Sequence, residues 1–365
     1  MRVLHIARRL VSPDLSELKV GYDLQHFKAL ASLLDENHVL LQSRDRRRHL
    51  VKMDRLYVHL SPCLATMFID AALLASRCHL IVAQNPFVAG FIATVAGWAS
   101  RRPVLISVHG YRFTVSYLQW ILGRFTCLRS KLIRVNSRAV WKLVASWGVP
   151  EDKLRLVSDR VDLSMFRPDI DASGLKERLG LKGPTLLYVG SLTEIKGVEV
   201  LIRALPLIKE EAPGVKLVLV GDGPLRSKLE EVALKLGVRD SVVFVGRVEH
   251  SLIPRFMAAC DILVHPSFTE SLGRVLLEAQ ASGRPVVASR AGGTREALKE
   301  GVTGLLFTPG DPFDLASRVK RLLADPSLMR EMGVEARRFV AERFEFWRLE
   351  GELVRLYREA VEGKA

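Results

Sequence analysis

The sequence predicts an α/β protein made of two doubly wound domains, each built on a parallel sheet. Its 365 residues exceed what one hydrophobic core usually organises. Short apolar runs alternate with amphipathic segments along the chain, and this alternation is typical of consecutive βαβ units. The runs fall into two series, separated by a segment at 162–168 that ends in proline. We therefore expect two Rossmann-like domains, residues 1–165 and 166–345, and a last helix over 346–365 that packs back toward the first domain.

Each predicted strand is a short apolar run. In chain order the first series comprises 3–6, 38–41, 56–60, 80–83, 104–108, 132–135 and 154–157, and the second comprises 186–189, 216–220, 242–245, 262–265, 285–288 and 304–307. Segments with helical periodicity follow many of them, including 24–34, 198–211, 225–236 and 314–323. Because ligands bind beyond the carboxyl ends of strands in open parallel sheets, we expect functional residues in the loops that leave these runs.

Composition excludes several classes of protein. Hydrophobic residues make up 48% of the chain, which is too many for a disordered protein. No apolar stretch reaches the roughly 18–20 residues of a membrane-spanning helix, and the start reads as a strand rather than as an export leader. The four cysteines are scattered without a CxxC pair, so neither a zinc site nor a disulfide framework is expected. These features predict a cytoplasmic protein.

The net charge of +14 is concentrated in the first predicted domain. Residues 1–165 contain 24 Lys and Arg but only 12 Asp and Glu, and no acidic residue lies between Ala71 and Pro150. Four of the five tryptophans lie in that stretch, at positions 98, 120, 141 and 147. Basic side chains mixed with indoles suit an anionic membrane surface, but a solvated basic face over core tryptophans fits equally well. No motif supports nucleic acid as a partner.

The densest set of polar residues follows the predicted strand 262–265. Glu270 precedes a helical run that we expect to open at Ser271, with Gly273 in its first turn. Free N–H groups in a first turn form an anion site suited to a diphosphate. Glu278 lies eight residues after Glu270, so the two carboxylates flank the predicted phosphate site and can bind hydroxyls on either side. The alternative is a capping role for Glu270 and a surface position for Glu278.

Loops after other strands add weaker candidates. Lys196 stands at a predicted helix start and is a mobile cation suited to phosphate. His109 follows the strand 104–108 and can bind a sugar or buffer a proton, although a histidine satisfied by local backbone fits equally well. Gly21 precedes a helix and can present an amide to a phosphate. The turn Gly221–Arg226 lacks the third glycine of a dinucleotide fingerprint.

Taken together, these residues resemble the family 4 glycosyltransferases, which are retaining enzymes of the GT-B fold. The resemblance is carried by the Glu-x7-Glu spacing of Glu270 and Glu278, by Ala279–Val286, by Gly292–Glu296, by Gly301–Leu306 and by Pro309–Asp311. It is strong across residues 185–345 and thin before residue 100. It implies two domains whose parallel sheets face a central cleft, the first on the acceptor side and the second binding a nucleotide sugar.

The resemblance also implies roles for individual residues. Glu270 would contact hydroxyls of the donor sugar and His109 would lie near the transferred sugar, which makes these two the candidate catalytic residues. Glu278 would bind the ribose. The backbone amides of Leu272 and Gly273, together with Lys196, would hold the diphosphate.

Three positions depart from the family pattern. Ser191 replaces the arginine that usually precedes the lysine, so donor binding is expected to be weaker or to depend on another cation such as Arg274. The usual Gly-Gly pair near the N-terminus is Val20–Gly21, in which Gly21 is the glycine expected beside the donor. The usual Asn-Gly before the second domain is Asp159–Arg160. These departures leave the donor undefined and allow an inactive protein.

The implied reaction transfers a sugar from a nucleoside diphosphate to an acceptor with retention of anomeric configuration. The acceptor is left open between a lipid-linked or otherwise anionic molecule and a polysaccharide, and peripheral contact with the inner face of the membrane is left open with it. No acidic triplet suited to a metal follows a predicted strand, so we expect neither a metal nor a cofactor beside the donor. A catalytically silent nucleotide-sugar-binding subunit and a nucleotide-sugar epimerase of the same fold are the alternatives.

Overall fold

The computed structural model describes residues 1–19, 22–110 and 116–363, and the chain divides into two compact units. One comprises residues 1–159 and the C-terminal segment from Trp347, and the other comprises Arg160–Phe346. The division lies at Asp159 rather than after residue 165. Asp159 accepts a hydrogen bond of 2.6 Å from Asn136 in the first unit, whereas the Val161 N–H donates to the Phe344 carbonyl in the second, at 2.9 Å.

The first unit is an α/β domain. Its strands are β1 (Arg2–Val11), β2 (Glu36–Ser43), β3 (His49–Met53), β4 (Leu56–Ser61), β5 (Leu80–Ala83), β6 (Val104–Val108), β7 (Leu132–Val135) and β8 (Leu154–Leu156). Its helices are α1 (Ser16–Lys19), α2 (Tyr22–Leu33), α3 (Leu64–Ala75), α4 (Val88–Ser100), α5 (Tyr117–Arg129) and α6 (Arg138–Ala145). The strands form one sheet in the order β3-β4-β2-β1-β5-β6-β7-β8.

Strand β3 was not predicted from the sequence. It pairs antiparallel with β4 at the edge of an otherwise parallel sheet. Its residues alternate between half-buried and exposed, because an edge strand covered on one side needs no continuous apolar run. The basic run Arg44–His49 leads into it, and charged residues near an edge strand discourage pairing with other chains.

The central strands of this sheet are buried on both faces, which explains their continuous apolar runs. On one face Ile106 packs in a cluster with Ala93 of α4. On the other face Leu105 packs with Leu353 and Tyr357 of the C-terminal helix (Phe346–Glu362). That helix is therefore part of the core of the first unit.

An ion pair and a histidine–carboxylate hydrogen bond join the C-terminal helix to the rest of the first unit. Arg155 on β8 donates from Nε to Glu359 at 3.0 Å. The His26 Nδ1 lies 2.8 Å from Glu350, whose side chain is fully buried.

Among the residues that the structure describes, no helix is long and apolar enough to cross a bilayer.

The second unit is also an α/β domain, and its sheet is entirely parallel. Its strands are β9 (Thr185–Val189), β10 (Lys216–Val220), β11 (Val242–Gly246), β12 (Ile262–His265), β13 (Val286–Ser289) and β14 (Gly304–Phe307), in the order β11-β10-β9-β12-β13-β14. Its helices are α7 (Ser173–Arg178), α8 (Val198–Lys209), α9 (Arg226–Lys235), α10 (Ile253–Ala259), α11 (Arg274–Ala281), α12 (Thr294–Ala297), α13 (Pro312–Ala324) and α14 (Pro326–Arg343). Two parallel α/β units confirm the predicted fold class.

Candidate functional site

The strand order of the second sheet reverses between β9 and β12, which lie side by side. Such a switch point is where ligands bind in open parallel sheets. The loop after β9 carries Lys196 and the loop after β12 carries Glu270. The Phe268 N–H donates to the Ile195 carbonyl at 2.9 Å, so the two loops are hydrogen-bonded to each other. Residues far apart in sequence are therefore brought to one position.

Glu270 is the electrostatic centre of this site. Its Oε2 accepts a hydrogen bond of 2.7 Å from the Lys196 ammonium and lies 3.0 Å from the His265 Nε2. Burial raises the pKa of the Glu270 carboxyl, but the hydrogen bond and charge of His265 and the charge of Lys196 outweigh burial and lower this pKa from 4.5 to about 2. The carboxylate is therefore ionised, and the capping role considered as an alternative does not describe its contacts.

The helix after Glu270 begins three residues later than predicted. Helix α11 starts at Arg274, and Gly273 is its N-cap rather than part of its first turn. Gly273 has φ of 91°, in the left-handed region that favours glycine, so the helix cannot extend back through it. Leu272 is fully buried as a whole residue and Gly273 is buried as well, whereas Arg274 is exposed. The first-turn N–H groups of α11 therefore follow a fixed glycine turn.

Glu278 lies within α11 and is not a surface charge. Its side chain is 7% exposed, and its Oε1 lies 3.2 Å from the His250 Nε2. His250 follows β11, and its ring packs edge-on against Phe166 with centroids 5.7 Å apart. Glu278 is thus tied to the loop after β11, whereas Glu270 is tied to the loop after β9.

Ser191 stands at the position of the usual phosphate-binding arginine, and Arg274 is the candidate for supplying the missing charge. The two residues lie in different loops. Ser191 is exposed, and its backbone carbonyl accepts a hydrogen bond of 2.8 Å from the Tyr188 hydroxyl. Its hydroxyl lies 3.5 Å from that of Thr193. Arg274 is exposed at the first position of α11, next to Gly273. Of these two residues, only Arg274 is charged, and it follows directly after the loop that carries Glu270.

His109 lies in the first unit, after β6, and is one-third exposed. Its Nε2 lies 2.9 Å from the Ser107 hydroxyl and 3.1 Å from the Gln84 Oε1. Its Nδ1 lies 3.1 Å from Arg134 Nη1. These partners are side chains from three strands or strand ends, not local backbone. Gly21, the other candidate of this unit, lies outside the described residues.

Within residues 1–19, 22–110 and 116–363, no group of three or more His, Cys, Asp and Glu side chains is arranged to hold a metal ion. The charged groups at the switch point instead pair with one another, as Lys196 does with Glu270.

Comparison with known proteins places the chain in a family. The pattern described as glycosyl transferases group 1 matches residues 171–339. The uncharacterized glycosyltransferase MJ1607 of Methanocaldococcus jannaschii is 34% identical over 64% of this chain, which spans 60% of that relative's length. The GDP-mannose-dependent alpha-(1-6)-phosphatidylinositol monomannoside mannosyltransferase of Mycolicibacterium smegmatis is 34% identical, over 71% of this chain and 71% of its own. The chain belongs to the group 1 glycosyltransferases.

The fold of this glycosyltransferase is that of a solved protein, Anabaena Alr3699/HepE, in a crystal structure in complex with UDP and glucose. The TM-score is 0.84 over 98% of this chain and all of the other, at 23% identity. The GT-B fold expected from the resemblance is therefore confirmed.

Two histidines of the glycosyltransferase were missed by sequence reasoning. His265, with a side chain 3% exposed, contacts Glu270, and His250 contacts Glu278. His265 closes the apolar run of β12 just before the candidate loop, and that position could have identified it. His250 has no comparable signal, because its partner lies 28 residues away.

Proposed function

We propose that this glycosyltransferase moves a sugar from a nucleoside diphosphate to an acceptor hydroxyl with retention of anomeric configuration. The observation that carries the proposal is the 2.7 Å pair of Lys196 and Glu270 at the switch point of the second sheet. A cation beside an ionised carboxylate offers one group to a diphosphate and one to sugar hydroxyls. A relative named as GDP-mannose-dependent and a fold neighbour solved with UDP and glucose support a nucleotide sugar as donor.

In the proposed reaction the bond between the anomeric carbon and the diphosphate oxygen breaks while the acceptor hydroxyl attacks from the same face. The acceptor oxygen forms the new bond to the anomeric carbon, and its proton passes to the departing diphosphate oxygen. Negative charge grows on the diphosphate, and positive charge grows on the sugar ring. Lys196 and the first-turn N–H groups of α11 stabilise the diphosphate. Glu270 accepts hydrogen bonds from sugar hydroxyls, and its negative charge favours the cationic ring. Because the protein itself supplies positive charge to the leaving group, we expect no obligatory metal ion.

Other residues complete the proposal. Glu278, buried on α11 beside His250, is proposed to bind ribose hydroxyls. Arg274, exposed at the start of α11, is proposed to supply the phosphate-binding charge that Ser191 lacks. In the first unit, His109 is proposed as a catalytic residue that hydrogen-bonds the transferred sugar.

Replacing Lys196 with alanine is expected to weaken nucleoside diphosphate binding about 10- to 100-fold, because a hydrogen bond to a charged group contributes roughly 1.5–3 kcal/mol. The measurement is a thermal-shift titration of wild type and variant with UDP, GDP, ADP and TDP and their sugars, since ligands that bind the native state raise the melting temperature. Lys228→Ala is the matched control, because Lys228 pairs with Glu199 at 3.0 Å. A wild-type protein stabilised by none of these nucleotides would contradict the donor assignment.

The uncharged, exposed Ser191 favours a second candidate function, a catalytically silent subunit that binds nucleotide sugars. The same donors separate this candidate from the transferase. Donor binding without transfer or slow hydrolysis would support the silent subunit. A new nucleotide sugar formed from the donor alone, without acceptor, would support an epimerase.

We further propose that one helical face of the first unit contacts anionic membranes. Tyr117 and Leu118 of α5 are 74% and 78% exposed, and Trp98 of α4 is 56% exposed. Trp98 packs edge-on against Phe125 of α5, so the two helices share this surface. Trp147 is buried, so the tryptophans divide between core and surface. Exposed aromatic and aliphatic side chains among basic residues suit the headgroup region of a bilayer.

The membrane proposal predicts that the protein floats with phosphatidylglycerol vesicles at low salt and is released at high salt, because surface charges are screened. Leu118→Glu is expected to reduce flotation several-fold by placing a charge on the apolar contact. Leu234→Glu is the control, since Leu234 is similarly exposed, at 69%, but lies on α9 of the other unit. Equal flotation of both variants would show that α5 is not part of the membrane contact. Absence of flotation of wild type at low salt would contradict the membrane proposal.

A further inference from the structure

His265 is a buried histidine that the proposed reaction does not use. It is the last residue of β12, and its side chain is 3% exposed. Its Nε2 lies 3.0 Å from the Glu270 Oε2 and 3.0 Å from the Ser267 hydroxyl oxygen. Because a carboxylate can only accept hydrogen bonds, the His265 Nε2 carries a hydrogen and donates it toward Glu270. Ser267 is neutral, so the charged carboxylate is the stronger acceptor of the two.

The two partners of the Glu270 Oε2 differ in their freedom to move. The Lys196 side chain is 25% exposed, and its ammonium carries three donors at the end of a flexible stem. The His265 ring is confined by packing, because β12 is buried along its whole length. The ammonium can therefore turn toward a ligand while the imidazole stays where it is. Oε2 thus has one exchangeable partner and one fixed partner.

The backbone that follows His265 is held on both sides. A Cβ on Gly197 would overlap the Pro266 carbonyl, so the loop after β9 lies directly against the residue next to His265. On the other side, the Ser289 hydroxyl of β13 donates a hydrogen bond to the Ser267 carbonyl. The segment between β12 and Glu270 is therefore attached to both neighbouring strands, and these contacts keep the imidazole in place when a ligand exchanges.

The second carboxylate oxygen of Glu270 is less occupied than the first. Its Oε1 accepts a long hydrogen bond of 3.3 Å from the Ser271 N–H, whereas Oε2 has partners at 2.7 Å and 3.0 Å. The Glu270 side chain is 14% exposed, so it still reaches the surface of the second unit. Oε1 therefore has the greater remaining capacity to accept a hydrogen bond from a hydroxyl.

We infer that His265 is a positioning residue for Glu270: it holds Oε2 while Lys196 turns to the diphosphate, and it leaves Oε1 for a sugar hydroxyl. The buried hydrogen bond keeps the carboxylate oriented after its cationic partner has moved. The catalytic part of this inference rests on the proposed function, in which a nucleoside diphosphate sugar binds at the switch point. The hydrogen bond itself is a property of the free protein and is tested separately.

The hydrogen bond is tested by ¹H–¹⁵N NMR of the histidine side chains. The Nε2–H signal of His265 is assigned as the one that His265→Gln loses. Wild type is expected to show this signal protected from exchange with solvent, shifted in Glu270→Gln but retained in Lys196→Ala. It is also expected to be retained in wild type saturated with UDP or GDP. Absence of a protected signal, or its loss in Lys196→Ala, would overturn the fixed role of His265, and its loss on nucleotide binding would overturn the exchange of partners.

Steady-state kinetics test the catalytic part. His265→Leu removes the donor but keeps an apolar side chain in the space, and it is expected to lower kcat about 10- to 100-fold. The KM for donor is expected to stay within about twofold, because Lys196 and α11 still hold the diphosphate. His265→Gln has an amide that can donate, and it is expected to recover kcat to within about fivefold of wild type. Equal kcat in the two variants, or a donor KM that rises as kcat falls, would contradict the positioning role.

His38→Gln is the matched control, because His38 also contacts a glutamate, Glu36 at 3.2 Å, but lies in the first unit. Its kcat is expected to stay within about twofold of wild type. Wild type and Lys196→Ala decide the NMR result, so that result stands even if His265→Leu does not fold. If the protected signal behaves as expected but neither UDP nor GDP raises the melting temperature, the hydrogen bond is confirmed and the proposed donor site fails.

Discussion

Replacing Glu270 with glutamine is expected to reduce sugar transfer about 10²- to 10³-fold while nucleoside diphosphate binding survives. Glutamine keeps the shape of the side chain but removes the charge that pairs with Lys196 and faces the donor sugar in the proposed reaction. Loss of one preorganised electrostatic partner of a transition state costs about 3–4 kcal/mol in other enzymes. With a pKa of about 2, wild-type Glu270 stays ionised across the assay range, so the deficit is expected at every pH above about 4. The measurement is kcat and KM for donor and acceptor.

The effect of the Glu270 substitution is compared with that of a matched carboxylate, Glu199. Glu199 also pairs with basic side chains, with Arg203 at 2.8 Å and Lys228 at 3.0 Å, but it lies on α8. Glu199→Gln is expected to leave transfer within about twofold, because exposed ion pairs contribute little. Glu270→Ala should abolish transfer without unfolding the protein. Near-wild-type turnover by either Glu270 variant would refute the role of this residue.

The positions of Lys196 and Glu270 beyond strand ends could be predicted from the sequence because their signals are local. A buried run followed by a polar loop identifies a strand end, and the carboxyl ends of parallel strands lie on one edge of a sheet. Lys196 and Glu270 follow two such runs, and the structure pairs them. Their neighbour His265 closes one run, but the sequence alone does not show that its ring turns toward the carboxylate.

Other features depend on tertiary contacts that no local pattern encodes. Because Gly273 is left-handed, α11 begins only at Arg274, although the residues around Gly273 are compatible with an earlier helix start. In the sequence, Asp159 is only a departure from the family pattern. The structure places it beside Arg134, which lies 25 residues earlier in the chain. Strand β3 has no continuous apolar run, because it pairs only with β4 and lies at the edge. In each case the missing information is the identity of a spatial neighbour.

The second large effect is expected at Gly293, whose backbone contacts the segment that carries Glu270. The Gly293 N–H donates to the Glu270 carbonyl at 2.9 Å, and a Cβ on Gly293 would overlap the carbonyl of Ser271. The loops after β12 and β13 are therefore in backbone contact that no side chain can enter. Because the overlapped atom is backbone, Gly293→Ala can be accommodated only by moving the segment that carries Glu270.

Gly293→Ala is expected to lower kcat about 100-fold, since a displacement of about 1 Å at a reacting group can cost that much. It should also lower the free energy of unfolding by about 1–3 kcal/mol, as overpacking does. Gly214→Ala is the matched control: a Cβ there meets no atom within 4 Å, and its φ is not positive, so both quantities should stay near wild type. Chemical denaturation and steady-state kinetics measure the two effects. If Gly293→Ala loses stability but keeps its kcat, the contact supports the fold without positioning Glu270, because the carboxylate would then tolerate the movement that the alanine imposes.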